Sequence, residues 1–252
     1  MNPGGMELLE EMRITDGMVI SNLRAFYDEK EGVLAVADLH LGYEEVARQD
    51  GVYFPKVQKK GMLNDLVMLL DRYRPKAIVI DGDFKHNFAS NLSQEWDEIK
   101  EIFSVLSEKV EDICLIKGNH DNFIARILPN GTRLPQERRI GGITYLHGHK
   151  RRTVKRMGVK ETVVMAHEHP SVMLRDKVGA GVRLPCFLWH PEDRILVLPA
   201  FSALTKGNDV LRTGFMSPLL KEHEPGEFLG FAVSEIGLME LGRLGNLAVP
   251  DQ

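Results

Sequence analysis

The chain has 252 residues, 43% hydrophobic and 27% charged, an ordinary balance for a globular protein with room for a full core. Its formal net charge of -4 leaves no global basic field to hold nucleic acid, so any such contact has to be local. Residues 1–13 are acidic without an apolar run, and no stretch reaches the ~20 apolar residues of a membrane span, which argues against a signal peptide or membrane protein and for a cytoplasmic one.

The first elements read as strands. Residues 18–26 partly alternate, a polar turn covers 28–32, and 33–38 is a buried strand. The periodicity predicts a helix from Pro55 to about Tyr73, with Met62, Leu63, Leu66, Val67 and Leu70 on its apolar stripe and Pro55 in its first turn. Pro75 ends it before a strand at 77–81. A second helix follows, with Ser93 as its cap and Trp96, Ile99, Ile102, Phe103 and Leu106 on one face. The strand 112–117 then runs into Gly118. This alternation implies parallel strands joined by helical crossovers.

The second half changes character. Residues 139–147 suggest a hairpin turning at Gly141 and Gly142, and strand-like runs recur at 162–166, 182–189, 195–198, 229–233 and 238–241. Long helices are scarce here. Residues 201–224 lack periodicity and hold Gly207, Gly214 and Pro218, which predicts a long ordered loop near the site. Cys114 and Cys186 lie in apolar runs and read as small buried hydrophobes, which fits a reducing compartment. With no linker or repeat, residues 1–252 are expected to form one domain of two facing sheets and outer helices.

Clusters of metal-capable residues follow or close these strands: Asp38 and His40; Gly82 and Asp83; Gly118, Asn119, His120 and Asp121; His147 and His149; His167 and His169. A strand ending in a ligand is how α/β folds gather distant residues at one sheet edge. Any one cluster arises easily by chance; the ordered set is specific. Two cations about 3.5–4 Å apart can hold a hydroxide between them and clamp an in-line phosphoryl displacement. Asp38 and His40 can turn towards one ion, and Asp83 is the natural bridge. Asn119 adds a neutral carbonyl oxygen, and His147, His167 and His169 complete the set. Without thiolates the site is hard: manganese is the expected metal, with iron and zinc as alternatives.

The order Asp-x-His, Gly-Asp, Gly-Asn-His-Asp, His-Gly-His and Ala-His-x-His resembles the signature of the calcineurin-like metallophosphoesterase superfamily. Segments 37–43, 82–87, 167–170, 185–188, 198–202 and 217–220 look like two of its branches, the archaeal SbcD-related phosphoesterases and the bacterial DNA-ligase-associated metallophosphoesterases. The resemblance covers about residues 38–220. It implies a four-layer α/β/β/α sandwich with the metals at the strand ends. Asp38, His40, Asp83 and His169 would hold one ion, and Asp83, Asn119, His147 and His167 the other. His120 would face the leaving-group oxygen, oriented by Asp121.

Two positions depart from the pattern. His86 stands where many relatives carry an acidic residue, so that role does not transfer; it is expected to assist His120 or contact substrate. Ala166 replaces a usual glycine, and no loss of the site is expected from one methyl. His149 reads equally as a substrate-phosphate contact or a residue turned away. His190 and His223 read as core or surface residues. Lys150, Arg151, Arg152, Lys155, Arg156 and Lys160 form either a solvated face or a phosphate-backbone contact. Lys85 and Asn87 would touch a phosphate or fix a loop.

The resulting expectation is a cytosolic phosphodiesterase. A metal-bridging hydroxide would attack phosphorus in line, on DNA, RNA or nucleotide diesters, with a DNA-repair protein as a candidate partner. The alternatives are a small cyclic phosphodiesterase, a phosphomonoesterase, and a catalytically silent scaffold of the same fold. Oligomeric state is not legible in the sequence.

Overall fold

Period-two burial and tight turns build the first sheet. In a computed structural model, which describes residues 10–151, 161–175, 179–205 and 207–247, its strands are β1 (Glu11–Thr15), β2 (Met18–Ser21), β3 (Ala25–Asp28), β4 (Val33–Ala37), β5 (Ala77–Asp81) and β6 (Asp112–Ile116). They lie in that order, antiparallel from β1 to β4 and parallel from β4 to β6. The parallel strands are joined through helices α1 (Tyr43–Gln49), α2 (Gln58–Tyr73) and α3 (Ser93–Lys109). Parallel pairing needs such crossovers, and it sets the carboxyl ends of β4, β5 and β6 along one edge.

Both faces of this sheet are covered. Along β4, Val33, Ala35 and Ala37 turn to one cluster and Leu34 and Val36 to another, as alternation requires. The outer cluster packs against Leu66 and Leu69 of α2 and Ile99, Ile102 and Leu106 of α3. Each such buried side chain contributes about 1.5–3 kcal/mol.

The second sheet holds β7 (Glu137–Ile140), β8 (Ile143–Leu146), β9 (Thr162–Met165), β10 (Pro170–Arg175), β11 (Gly181–His190), β12 (Ile195–Val197), β13 (Asn208–Asp209), β14 (Leu229–Ser234) and β15 (Gly237–Arg243). Their order is β13-β10-β11-β12-β9-β8-β7, with β14 pairing β11 and β15. The expected hairpin at Gly141 and Gly142 is present. Tyr145, Val164, Phe187 and Phe231 face the first sheet, and Cys114 joins them there. On the outer side, Val210, Phe215, Leu220 and Phe228 cover Leu146, Met165 and Leu188, with Cys186 among them. This fourth layer consists of the short helix α4 (Val210–Thr213) and irregular chain. The architecture is the expected pair of sheets flanked by helices, with a thin layer on one side.

Several local expectations shift. The first long helix starts at Gln58, so Pro55 precedes it rather than lying in its first turn. Ser93 is not a cap. Leu92 caps α3 without a side-chain acceptor, and the Glu95 carboxylate reaches back to Leu92 N at 2.8 Å and Asn87 N at 2.6 Å. Strands β1 and β10 and helix α1 carried no clear period. The 201–224 segment contains β13 and α4 but is otherwise irregular, and it lies against the strand ends, with Phe201 N donating to Ala37 O at 2.7 Å. Among the described residues no helix is long and apolar enough to cross a membrane.

Candidate metal centre

Beyond the ends of β4 and β5 the two chains continue side by side. His40 N donates to Asp83 O at 2.9 Å, Leu41 N to Phe84 O at 3.0 Å and His86 N to Leu41 O at 2.9 Å. This short backbone ladder brings the first two clusters together. To turn their side chains inward, Asp38, His40, Asp83, His167 and His169 take positive φ values of 53, 48, 46, 71 and 44°. Left-handed backbone at non-glycine residues costs on the order of 1–3 kcal/mol each and concentrates at functional sites. Ala166 has no such conformation, so glycine is not needed there.

Two glycines permit the close approach. A Cβ on Gly82 would lie 2.1 Å from His147 Nδ1, and one on Gly118 would lie 2.1 Å from Asp83 Oδ1 and 2.3 Å from Asp83 N. The second clash involves backbone that cannot yield cheaply. Gly118→Ala is therefore expected to lower stability by about 1–3 kcal/mol or more and to reduce bound metal. Gly61→Ala, at a helical position with nothing within 4 Å, should be neutral or mildly stabilising. Thermal melts with metal analysis of both variants check this; parent-like metal content in Gly118→Ala would refute the packing argument.

The donors meet in two groups, Asp38 with His40 and His169, and Asp83 with His147 and His167. His40 Nε2 lies 3.2 Å from His169 Nε2, which in turn lies 3.3 Å from Asp38 Oδ1. His147 Nε2 lies 3.2 Å from Asn119 Oδ1 and 3.4 Å from Asp83 Oδ2. Bonds of about 2.0–2.1 Å at a tetrahedral angle put two donors on one ion about 3.3 Å apart. These contacts have that spacing. Asp38 Oδ1 is buried with no hydrogen-bond partner, while Asp38 Oδ2 accepts from His167 N at 3.1 Å. An orphaned buried carboxylate oxygen facing imidazoles fits a cation between them.

Electrostatics agree. Burial pushes His40 down to about 3 and His167 to about 4, so both offer neutral lone pairs. Burial also works against a charged His147, but its hydrogen bond to Asp83 and the charges of Asp38 and Asp83 override it and raise this ring to about 10. Despite burial, His169 and His147 hold the Asp38 carboxyl below the usual carboxylate range, and His147, with His40, does the same for Asp83. A divalent cation supplies the positive charge these carboxylates otherwise draw from protonated imidazole.

His120 stands at the mouth. Its Nδ1 lies 2.5 Å from His86 O, and its Nε2 is 3.9 Å from Asp83 Oδ2. A carbonyl only accepts, so Nδ1 carries the proton and Nε2 is turned to the site. His86 stacks on His120 with centroids 5.6 Å apart, and its Nδ1 is 3.3 Å from His40 Nδ1. The His149 ring lies 5.2 Å from that of His147, its Nδ1 buried and unpartnered.

Asp121 does not orient His120. Its carboxylate accepts from Gly118 N at 2.8 Å and Phe84 N at 2.9 Å, tying two site loops together. Lys85 is wholly buried and fixes the 85–95 loop through Asn87 O, Ser90 O and Glu95, so it makes no phosphate contact. Lys150 donates to Gln136 Oε1 at 2.8 Å. Arg152, Lys155, Arg156 and Lys160 lie outside the described residues. His190 and His223 pack with Phe228, as a core and a partly covered residue.

Sequence reasoning missed Glu168. Buried between the two histidine ligand candidates of its cluster, it accepts from Met216 N, Ser217 N and Asn208 Nδ2 and so anchors the 201–224 segment. An acidic residue between two inward-turned histidines was the available signal. Asp81, buried with neither oxygen partnered, was missed too; burial raises its carboxyl well above the usual range. Beside His169 lies a cavity of 230 Å³ lined in part by Arg24 and Arg183.

The sequence profile of the family described as calcineurin-like phosphoesterase matches residues 32–219, a span holding all of these clusters. Among solved structures, the fold is similar to that of nuclease MPE from Pseudomonas putida, with a TM-score of 0.61 and 20% identity over 89% of this chain and 94% of that one. A second match, Yfce, a phosphoesterase from E. coli, has a TM-score of 0.41 and 16% identity over 70% of this chain and 83% of that one. No curated protein matches the sequence significantly.

Proposed function

The chain belongs to the calcineurin-like phosphoesterase family, a family of metal-dependent hydrolases, and from that membership we propose that it is a two-metal phosphodiesterase acting on nucleic-acid or nucleotide diesters. The observation that carries this reading is the position of His147. Its Nδ1 is 3.7 Å from Asp38 Oδ1 and its Nε2 3.4 Å from Asp83 Oδ2, so the two donor groups abut rather than stand apart. In this reading Asp38, His40, Asp83 and His169 hold one cation, and Asp83, Asn119, His147 and His167 the other.

Two divalent cations bound there supply Lewis acidity and a water activated for in-line attack on phosphorus. The chain's own residues do the rest. Neutral imidazoles keep the site from excess negative charge that would repel a phosphate. His120 N donates to Asp83 Oδ1 at 2.8 Å, which holds the shared carboxylate and the catalytic loop in one unit. As an imidazolium, protonated on both ring nitrogens, His120 would give its Nε2 proton to the ester oxygen as that oxygen's bond to phosphorus breaks, while the oxygen of water bonds to phosphorus and the water's proton passes to solvent. The products are a phosphomonoester and an alcohol. His149 and His86 sit at the two sides of the donors, where each can meet a phosphate oxygen. Arg24 and Arg183, which line one cavity with His169, would also favour a polyanion.

Nuclease activity of the structural neighbour supports a nucleic-acid substrate by analogy of fold. The same reading takes residues 1–252 as one catalytic domain of the cytoplasm, serving DNA repair, with manganese the first metal to test. The test pairs metal analysis with bis(p-nitrophenyl) phosphate, p-nitrophenyl phosphate, cyclic nucleotides and single- and double-stranded DNA. Two metal equivalents and diester turnover are expected. Monoester turnover with no diester cleaved would overturn the proposal in favour of a phosphomonoesterase.

A further inference from the structure

The mouth of the metal centre carries aromatic side chains that the fold does not use. Phe88 is 58% exposed and Phe54 is 43% exposed, and apolar exposure carries meaning where such side chains adjoin one another. Neither is isolated. The Phe88 ring lies edge-on to His120 with centroids 6.1 Å apart. Tyr43 leans on His86 at 4.6 Å and meets Phe54 at 6.2 Å. Aromatic surface thus continues outward from the two histidines at the mouth. Phe123, 51% exposed, adds to it: Asn122 Nδ2 donates to Phe88 O at 3.3 Å and Asn91 Nδ2 to Phe123 O at 2.9 Å, so the two loops are tied together.

We propose that Phe88, with Tyr43 and Phe54, forms a nucleobase-stacking subsite on the leaving-group side of the centre. This rests on the phosphodiesterase reading and narrows it to single-stranded nucleic acid with unpaired bases next to the scissile bond. The chemistry follows from position. Whatever leaves through His120 passes beside Phe88, and every nucleobase presents a π-face that stacks on an aromatic ring without regard to sequence. The base of the departing nucleotide is the group in reach. A duplex keeps its bases stacked on one another, so it gains nothing here until its strands separate. The backbone is served separately by the metal donors and by the arginines beside His169.

The test compares the whole metal-loaded protein with Phe88→Leu and Phe88→Trp on three substrates: a short oligothymidylate, the same strand carrying abasic sugars, and methyl p-nitrophenyl phosphate. Phe88 is exposed, so neither change should disturb folding. The parent is expected to prefer the base-bearing strand over the abasic one by about tenfold. Phe88→Leu should lower the ratio towards one, and Phe88→Trp should keep or raise it. An equal loss on base-bearing and abasic strands would mark Phe88 as structural and overturn the subsite, as would a parent that cleaves both strands alike. Those results leave the phosphodiesterase standing. Absence of turnover on every diester with metal bound removes the phosphodiesterase, and this inference with it.

Discussion

Asp83→Asn is expected to bind one metal ion or none per chain and to lose about a thousandfold in kcat on phosphodiesters. The loss corresponds to several kcal/mol of transition-state stabilisation, the scale on which a bound cation acts at a phosphoryl centre. The change is chosen because it removes charge and little else. Asp83 sits at φ 46°, a conformation asparagine tolerates as well as aspartate does. Its Oδ1 accepts from His120 N at 2.8 Å, and an asparagine carbonyl can accept the same bond. The variant therefore keeps its loop but offers a neutral oxygen and an amide where a carboxylate would be shared by two cations. Elemental analysis, a melt and bis(p-nitrophenyl) phosphate turnover check the three parts. A folded variant with two metals and parent activity would falsify the sharing of Asp83.

His120→Ala should behave differently. It is expected to keep both metals and to lose 10²- to 10⁴-fold on substrates with an alkoxide leaving group, the usual range for one general acid. The His120 Nε2 lies 3.9 Å from Asp83 Oδ2, farther than the donor pairs that have ligand spacing. The loss should shrink on p-nitrophenyl esters, because p-nitrophenolate departs without needing a proton. Comparing a dinucleotide with a p-nitrophenyl nucleotide ester in the same variant gives the decisive ratio. Equal losses on both would show that His120 binds phosphate rather than assisting departure, and falling metal content would make it a ligand.

These two variants separate roles that the sequence places only one motif apart. Asp83 and the Gly118–Asp121 stretch were legible as chemistry because short polar residues directly after apolar runs have few structural reasons to be there. Asp121 was read as orienting His120, and it instead binds the Gly118 and Phe84 amides. That role came with the family resemblance, whereas the carboxylate turns inward to satisfy backbone donors. Lys85 read equally as a phosphate contact or a loop anchor, and tertiary structure decides for the second: its chain is buried and its ammonium serves the carbonyls of its own loop. The aromatic mouth was invisible because Tyr43, Phe54 and Phe88 share no spacing; only the fold brings Tyr43 to His86, Phe54 to Tyr43 and Phe88 to His120.

Local physics alone settled the alternation of strands and crossovers, the hairpin at Gly141, the buried cysteines and the stock of metal-capable donors. Each depends on residues a few positions apart, through period, turn chemistry and burial. Tertiary structure decided the pairing of His40 with His169 across 129 positions, the strained turns that aim the donors, and the anchoring of the 201–224 segment by Glu168. Those depend on parallel register and on where loops close, and such non-local geometry leaves no periodic trace in the chain.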